Sequence, residues 1–340
     1  MRIAHIMAGA EMGGAELFYE RLCVAQARSG ETILAAMRRN PRRAERLRAG
    51  GLEALQLRFG GGLDLLTRPR LRRALSAFAP HVAVAWMSRA ARAAPRGDWV
   101  LTGRLGGFYD LANYRRCDHL IGNTRGIVEW VRAQGWPAAR VHLLPNFSND
   151  HGTVARTRPD WLAPGARLVL ALGRLHRNKA FDVLIEAVAL VPRATLLIAG
   201  EGPERAALEV LARKLGVADR VRMPGWSDDS GALLASADLL VCPSRHEPLG
   251  NVVIEAFSAR LPVVASAAQG PVELITSGVD GILVPLEDPR ALAAGIGAVL
   301  DDPAHAARLA AAGRARFEAD FAVAPVLARW HAFLADAEKA

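Results

Sequence analysis

The chain has 340 residues, of which 51% are hydrophobic and 23% are charged, and its formal net charge at pH 7 is +9. This length exceeds the usual size of a single hydrophobic core, so two domains of about 150 residues each are expected. The composition excludes a disordered or low-complexity chain, because the apolar fraction is large and glycine and proline are spread along the whole length.

The cysteines are few and far apart in the sequence, at Cys23, Cys117 and Cys242. No Cys-x-x-Cys pair and no histidine cluster accompanies them, which argues against a disulfide framework and against a structural zinc site. The apolar stretch Ile3–Met7 is too short for a signal peptide, and no run of about 18 apolar residues occurs. We therefore expect a cytoplasmic protein, in the cytosol or peripherally on the inner face of the cytoplasmic membrane.

The basic charge is concentrated in the first half of the chain. Residues 1–150 carry 23 arginines and no lysine against 12 acidic residues, whereas residues 151–340 have a net charge of −2. This excess is consistent with solvated helix faces, or with a surface that meets phospholipid headgroups or a phosphorylated substrate. The two clusters concerned are Arg38, Arg39, Arg42, Arg43, Arg46 and Arg48, and Arg68, Arg70, Arg72 and Arg73.

Short apolar segments alternate with segments of helical periodicity along the chain, which predicts an α/β architecture of parallel sheets flanked by helices. In the first half, the predicted helices include Ala15–Ser29 and Thr124–Gln134. The strands predicted there are Ile3–Met7, Thr32–Ala36, Ala54–Leu57, Val82–Ala85, Trp99–Thr102, His119–Gly122 and Val141–Leu144.

A segment rich in turn-forming residues, Pro145–Ala166, predicts the linker between the two domains. We expect an N-terminal domain over residues 1–150 and a C-terminal domain over residues 160–323, and we hypothesise that a final helix at residues 324–340 completes the N-terminal domain. The strands predicted after the linker are Leu168–Leu172, Thr195–Ala199, Val221–Met223, Leu239–Cys242, Val263–Ala265 and Gly281–Val284.

Glycine-rich turns that follow strands are the candidate sites, because ligands bind at the carboxyl ends of the strands in open α/β sheets. The first such turn, Gly9–Glu16, leads into a helix whose first backbone N–H groups are available to an anion or a polar substrate. Its spacing does not match the dinucleotide fingerprint Gly-x-Gly-x-x-Gly. Taken by itself, the turn fits a purely structural role equally well.

The second turn, Gly173–Lys179, comes directly after a predicted strand. Arg174 offers a planar fork for phosphate oxygens and Lys179 a point charge, although two solvated surface cations would give the same pattern. The position after a strand favours the phosphate-binding interpretation. A third turn, Ala199–Pro203, either lets a ligand approach the backbone closely or serves as an ordinary turn.

The fourth turn, within residues 243–256, is the most informative. A predicted strand ends in a loop that carries Glu247, Gly250 opens a helix, and Glu255 lies about one turn inside that helix. The helix N-terminus would offer N–H groups and a positive dipole to a phosphate, so this loop could bind sugar, phosphate and ribose together. Acidic residues are also favoured near helix starts, which is the alternative explanation for the pair.

Together these residues resemble the retaining glycosyltransferases of family 4, which have the GT-B fold of two Rossmann-like domains facing across a cleft. The resemblance is strongest over residues 168–285. It rests on Gly173-Arg174-Leu175 with Lys179, Gly200–Pro203, Ser236–Asp238, the pair Glu247 and Glu255, Gly270–Ile275 and Gly278–Val284.

The resemblance implies a hexosyltransferase that moves a sugar from a nucleotide-diphosphate sugar to an acceptor on the basic N-terminal domain. It implies that Arg174 and Lys179 bind the diphosphate, that Glu247 binds the transferred sugar and that Glu255 binds the ribose. Arg174, Lys179 and Glu247 are the implied catalytic residues. It also implies that no metal or other cofactor is required, and the sequence contains no Asp-x-Asp motif. The other implied donor-binding residues are Gly14, Gly173, Gly202, Met223, Leu249, Gly250, Asn251 and Val252.

Two departures from the family pattern concern the turns after strands. Ala180 stands where the family usually has glycine, and Arg104 stands approximately where a histidine commonly follows the fifth strand. Glu16, Arg104 and Asp110 are therefore the acceptor-side candidates, while His119 is expected to pack beside its own strand. The base is expected to be recognised by the backbone of a loop at residues 222–224.

The acceptor is predicted to be an envelope glycan or glycolipid such as lipopolysaccharide core, because a basic face on such an enzyme suits an anionic membrane surface. One alternative is a catalytically silent relative that only binds nucleotide, since the family histidine is missing. Another is a basic nucleic-acid-binding protein, but no helix-turn-helix, zinc-finger or RNA-platform signature accompanies the charge, so no nucleic-acid partner is predicted.

Overall fold

The computed structural model describes residues 1–11, 13–61 and 64–339. The chain forms two compact units: unit 1 contains Met1–Asn146 and the segment that begins at Val323, and unit 2 contains Phe147–Ala322. The chain therefore passes from one unit to the other twice. Each unit is built on a parallel sheet flanked by helices, as the alternation of apolar and helical segments predicts. The assignment of acceptor and donor to the two domains stays a prediction.

Unit 1 contains a seven-stranded parallel sheet with the strand order β3-β2-β1-β4-β5-β6-β7. The strands are β1 Arg2–Met7, β2 Thr32–Arg38, β3 Ala54–Leu57, β4 Val82–Trp86, β5 Val100–Leu105, β6 His119–Gly122 and β7 Val141–Leu143. The helices of this unit are α1 Gly14–Arg28, α2 Pro41–Ala49, α3 Thr67–Phe78, α4 Met87–Ala93, α5 Arg125–Ala133 and, at the C-terminus, α13 Val323–Lys339.

Unit 2 contains a six-stranded parallel sheet with the strand order β10-β9-β8-β11-β12-β13. Its strands are β8 Arg167–Leu172, β9 Ala194–Ala199, β10 Val221–Gly225, β11 Leu239–Cys242, β12 Val263–Ser266 and β13 Ile282–Val284. Its helices are α6 Phe181–Ala189, α7 Arg205–Lys214, α8 Ser230–Ser236, α9 Asn251–Ser258, α10 Pro271–Leu274, α11 Pro289–Asp301 and α12 Pro303–Arg316.

The central strands are covered by helices on both faces, and this explains their composition. Every residue of β4 and of β9 is buried, so these strands lack the polar alternation of a half-exposed strand, and Thr195 is their one polar residue. Side-chain caps begin several of the helices: Asn40 accepts a hydrogen bond from the backbone of Arg43 at α2, and Thr124 accepts one from Ile127 at α5. The strands predicted from the sequence are confirmed, with end points that differ by only a few residues.

Each sheet has a position where the strand order reverses, between β1 and β4 in unit 1 and between β8 and β11 in unit 2. Loops that leave neighbouring strands on opposite sides of such a position open a crevice at the carboxyl edge of the sheet. Most of the candidate residues from the sequence follow β1 in unit 1 and β8, β9 and β11 in unit 2, while Arg104 lies on β5, Asp110 comes after β5 and Met223 lies on β10. The fold therefore places most of them where open α/β sheets bind ligands.

Candidate functional site

The loops after β8 and β11 are neighbours, because these strands pair in parallel and end at the same edge of the sheet. The backbone N–H of Arg245 donates a hydrogen bond to the Asn178 carbonyl oxygen at 2.9 Å. The Arg245 guanidinium donates to the Arg177 carbonyl oxygen at 2.9 Å and forms a two-pronged contact with Asp182 at 2.9 and 2.7 Å. One arginine therefore holds the two loops together, a role that the sequence analysis did not identify.

This pairing of loops brings Lys179 and Glu247 into direct contact. The Lys179 Nζ donates to Glu247 Oε2, and the hydroxyl of Ser244 donates to the same oxygen at 3.2 Å. Both charged side chains are mostly buried, with 24% and 12% of their surfaces exposed. Burial disfavours the charge on Lys179, but attraction to Glu247 outweighs burial and raises the pKa of Lys179 above its ordinary value. The loop therefore holds a cation and a carboxylate in one place.

Two glycines let the turns after β8 and β9 pack closely against each other. A Cβ on Gly200 would lie 1.8 Å from the Gly173 carbonyl oxygen, and one on Gly202 would lie 2.2 Å from the Leu175 carbonyl oxygen. The Leu175 N–H also donates to the Glu201 carbonyl oxygen at 2.9 Å. Any larger residue must push the backbone apart, so the glycines are required for the local geometry.

We predict that Gly202→Ala weakens nucleotide binding by about tenfold or more, because a displaced turn no longer presents its backbone correctly. Gly297→Ala is the matched control: it lies within α11, and the nearest atom to its new Cβ is an Asp301 carboxylate oxygen at 3.6 Å. That control should bind nucleotide with the affinity of the wild type. Its free energy of unfolding should rise by about 0.5–1 kcal/mol, because alanine is favoured over glycine inside a helix. Equal nucleotide affinity for both variants, measured by calorimetry, would contradict the prediction.

The amino terminus of α9 lies in the same loop as Glu247. Gly250 has φ 92°, a left-handed conformation that suits glycine, and no side chain caps the first turn of the helix. The positive end of the helix dipole therefore lies at this loop, where it favours an anion. Glu255 lies within α9 and Asn251 begins it, so the structure brings together the loop and helix residues that the sequence singled out.

Arg174 lies on the same turn as Lys179 but differs from it in environment. Its side chain is exposed and makes no hydrogen bond or ion pair with the residues that the structure describes.

Ala180 adopts φ 52°, so the turn has the left-handed geometry for which the family uses glycine. Over the described ranges, no group of three or more His, Cys, Asp or Glu side chains is arranged to hold a metal ion.

Comparison with known proteins gives the family. The profile of the family described as Glycosyl transferases group 1 matches residues 156–316. The lipopolysaccharide core biosynthesis glycosyltransferases LpsE and LpsD of Rhizobium meliloti (strain 1021) are 34% and 35% identical to this chain; each match covers 92% of the chain, and covers 93% of LpsE and 92% of LpsD. The chain is a group 1 glycosyltransferase.

The solved structures agree with this assignment at the level of the fold. The crystal structure of HepE from Anabaena, in complex with UDP and glucose, superposes with a TM-score of 0.85 at 22% sequence identity. The match covers 99% of this chain and 100% of HepE. The predicted GT-B fold is thereby confirmed. The predicted glycosyltransferase activity is confirmed by the family match and by LpsE and LpsD, while the roles of individual site residues remain predictions.

In unit 1 of the glycosyltransferase, side chains from α1 and α2 hold the glycine turn after β1. The carboxylate of Glu16 accepts a hydrogen bond from the Ala10 N–H at 2.7 Å, and a Cβ on Gly9 would lie 2.1 Å from the same oxygen. The Arg43 guanidinium donates to the Ala10 and Glu11 carbonyl oxygens, both at 3.0 Å. Gly14 begins α1 beside this turn. Glu16 therefore has a structural function in addition to any contact with substrate.

Arg43 was grouped with the surface arginines in the sequence analysis, and that grouping is wrong. Its side chain is 1% exposed and pairs with Glu20 at 3.0 Å. Arg46 donates to both oxygens of the same carboxylate and is 40% exposed. Helix α2 thus directs part of its positive charge inward, where it neutralises an acid on α1 and secures the glycine turn.

The remaining acceptor-side candidates lie in different environments. Arg104, on β5, is 2% exposed, donates to Asn146 Oδ1 at 2.7 Å and lies over the ring of Trp86, and burial lowers its pKa to about 9. Asp110 is exposed and accepts a hydrogen bond from the backbone of Ala112. His119 packs on β6 against a neighbouring histidine, as expected from the sequence.

One further residue of the donor-side turns was missed. Arg205, the first residue of α7, donates to the Met223 carbonyl oxygen at 2.9 Å and to both oxygens of Glu201 at 3.0 and 2.7 Å. It therefore ties the third turn to the segment predicted to recognise the base. That segment was expected to be a loop, but it belongs to strand β10, whose pairing with β9 is irregular between Arg222 and Gly225. The four-residue spacing of Glu201 and Arg205 was the signal available in the sequence.

Proposed function

We propose that this glycosyltransferase transfers a hexose-type sugar from a nucleotide-diphosphate sugar to lipopolysaccharide core or a related envelope glycan, with retention of the anomeric configuration. The Lys179–Glu247 pair next to the α9 amino terminus carries this proposal, because it offers a cation, a carboxylate and the positive end of a helix dipole within one loop pair. The names of LpsE and LpsD support the choice of acceptor. The UDP and glucose bound to HepE support a nucleotide-sugar donor.

In this proposal, Lys179 and Arg174 bind the diphosphate and neutralise it as it departs. The α9 amino terminus, with the backbone of residues 249–252, adds the positive end of a helix dipole. Glu255 binds the ribose hydroxyls and Glu247 orients the transferred sugar. These protein groups supply the charge stabilisation that a divalent ion supplies in other transferases, so we propose that transfer proceeds without a metal.

A transfer assay tests this function. The enzyme is incubated in EDTA with rough lipopolysaccharide of truncated core and with UDP-glucose, UDP-galactose, GDP-mannose or ADP-glucose. We expect one donor to give an elongated core by mass spectrometry, with the new linkage in the anomeric configuration of the donor by NMR. An inverted linkage, or activity only after a divalent ion is added, would contradict the proposed mechanism. Release of nucleotide without an elongated core would contradict the acceptor.

Helix α3 offers the surface that suits an anionic membrane. Its exposed arginines are accompanied by Leu65 and Leu66, which are 80% and 51% exposed just before the helix. Among the residues that the structure describes, no helix combines the length and apolarity needed to span a bilayer. We propose that the exposed arginines and the two leucines together hold the enzyme on the cytoplasmic membrane surface. The arginines are Arg68, Arg70, Arg72 and Arg73.

We predict that the double substitution Arg70→Glu and Arg72→Glu lowers affinity for vesicles with one third phosphatidylglycerol by about 30-fold, at about 1 kcal/mol for each arginine lost. The control carries the same charge change on α7, at the exposed Arg213 and Lys214. Vesicle sedimentation measures both variants. The surface assignment fails if the α3 variant binds like the wild type, or if the α7 variant loses affinity equally.

A further inference from the structure

A group of polar side chains lies at the carboxyl ends of β5 and β6 in unit 1, and none of the donor-side assignments includes it. A Cβ placed on Gly106 would lie 3.9 Å from the hydroxyl oxygen of Tyr109 and 4.0 Å from Nδ2 of Asn123. Gly106 follows the last residue of β5 and Asn123 follows the last residue of β6, and these two strands are paired. The phenol and the amide therefore converge on the space in front of Gly106.

The polar groups of this cluster lack hydrogen-bond partners within the part of the chain that the structure describes. Asn123 is 6% exposed, and its Oδ1 is buried without a hydrogen-bond donor among the described residues. Over the same ranges, the hydroxyl of Tyr109 makes no hydrogen bond. An unsatisfied buried amide oxygen destabilises a folded protein, because the desolvation of that atom is not compensated. A ligand that supplies the missing partner would remove this cost.

Two charges and an aromatic surface surround the cluster. Burial raises the pKa of Tyr109, the negative charge of Glu16 raises it further, and the positive charge of Arg104 acts in the opposite direction. The phenol is therefore a neutral hydrogen-bond donor at physiological pH. Phe108 is 42% exposed and packs edge-on against Trp130, with ring centroids 5.5 Å apart. This arrangement presents an aromatic face beside the polar groups.

We propose that Tyr109 and Asn123 bind the hydroxyl groups of the acceptor sugar. A sugar hydroxyl both donates and accepts hydrogen bonds, which matches an amide and a phenol. A phosphate only accepts, so it would leave the buried Oδ1 of Asn123 without a donor. The exposed ring of Phe108 suits the apolar face of a pyranose. This inference rests on the proposed function, because it assigns the acceptor of the same reaction.

The test compares three substitutions with one control. Gly106→Ala fills the proposed space at ordinary contact distances, and its backbone does not lie in the left-handed region. Tyr109→Phe and Asn123→Ala each remove one hydrogen-bonding group. Tyr114→Phe is the control, because it makes the same chemical change at a fully buried side chain. With rough lipopolysaccharide of truncated core, each test variant should raise the acceptor KM by about tenfold or more and leave the donor KM within about twofold, whereas the control should change neither.

The outcomes separate this inference from the proposed function. An increase in donor KM at constant acceptor KM, or no change in either, would overturn the inference while transfer itself stands. If the wild type binds nucleotide but elongates no acceptor, the proposed acceptor fails. In that case saturation-transfer NMR with the released core oligosaccharide decides the inference: signals that disappear in Asn123→Ala support it, and the absence of signals with the wild type overturns it.

Discussion

Replacement of Lys179 by alanine is expected to lower kcat/KM for sugar transfer by about 100- to 1,000-fold, the usual effect of removing one group that stabilises transition-state charge. Lys179 contacts Glu247 and keeps a raised pKa, so it is a cation over the whole physiological range. The leaving diphosphate would lose this partner in the variant. Initial rates with saturating acceptor measure the effect.

Lys214→Ala is the matched control, because this lysine is exposed on α7 outside the turns that form the site. Its rate should equal that of the wild type. Removal of Lys179 also leaves Glu247 without its cation, so thermal unfolding must show that the variant is folded at the assay temperature. Lys179→Arg keeps the positive charge but changes the geometry of the cation, so it separates the effect of charge from the effect of side-chain shape. A folded Lys179→Ala variant with a rate within about threefold of the wild type would contradict the assigned role.

Replacement of Glu247 by glutamine is expected to lower kcat by about 100-fold or more and to change the pH profile. In the wild type, attraction to Glu247 outweighs burial and holds the pKa of Lys179 above its ordinary value. Glutamine removes this attraction and leaves burial, which lowers the pKa of Lys179. Activity that needs the protonated lysine is lost as the pH rises through that pKa, so the alkaline limb of the profile should move to lower pH.

The control for this variant is Glu53→Gln, at an exposed acid just before β3 that pairs with Arg48 at the surface. Its pH profile should overlay that of the wild type. A Glu247→Gln variant with low kcat and an unmoved alkaline limb would show that the carboxylate acts on the sugar without tuning Lys179. An unchanged kcat would remove Glu247 from the mechanism.

The strands and the donor-side turns could be predicted from the sequence because their signals are local. Strands β4 and β9 are buried on both faces and appear as apolar runs, interrupted only by Thr195 in β9, between helical segments. The turns after β8 and β11 carry glycine and charge directly after such runs. Parallel pairing then brings Lys179 and Glu247 together without further information.

The features that sequence reasoning could not predict are those that depend on distant partners. Arg43 is one arginine among many on α2, and only the packing of Glu20 on α1 shows that it points inward. Arg104 is buried because Trp86 and Asn146 surround it, and these residues come from other parts of the chain. Sequence spacing does not report such contacts. The unpartnered amide of Asn123 is likewise visible only when its surroundings are known.

The measurement that tests the central claim most directly is calorimetric titration of the metal-free protein with UDP, GDP and ADP, for the wild type and for Glu255→Ala. We expect one nucleotide to bind the wild type in the micromolar range and to lose about tenfold or more in affinity with the variant, because the ribose hydroxyls lose their acceptor. Failure of all three nucleotides to bind, or equal affinity for both proteins, would contradict a donor site built around α9.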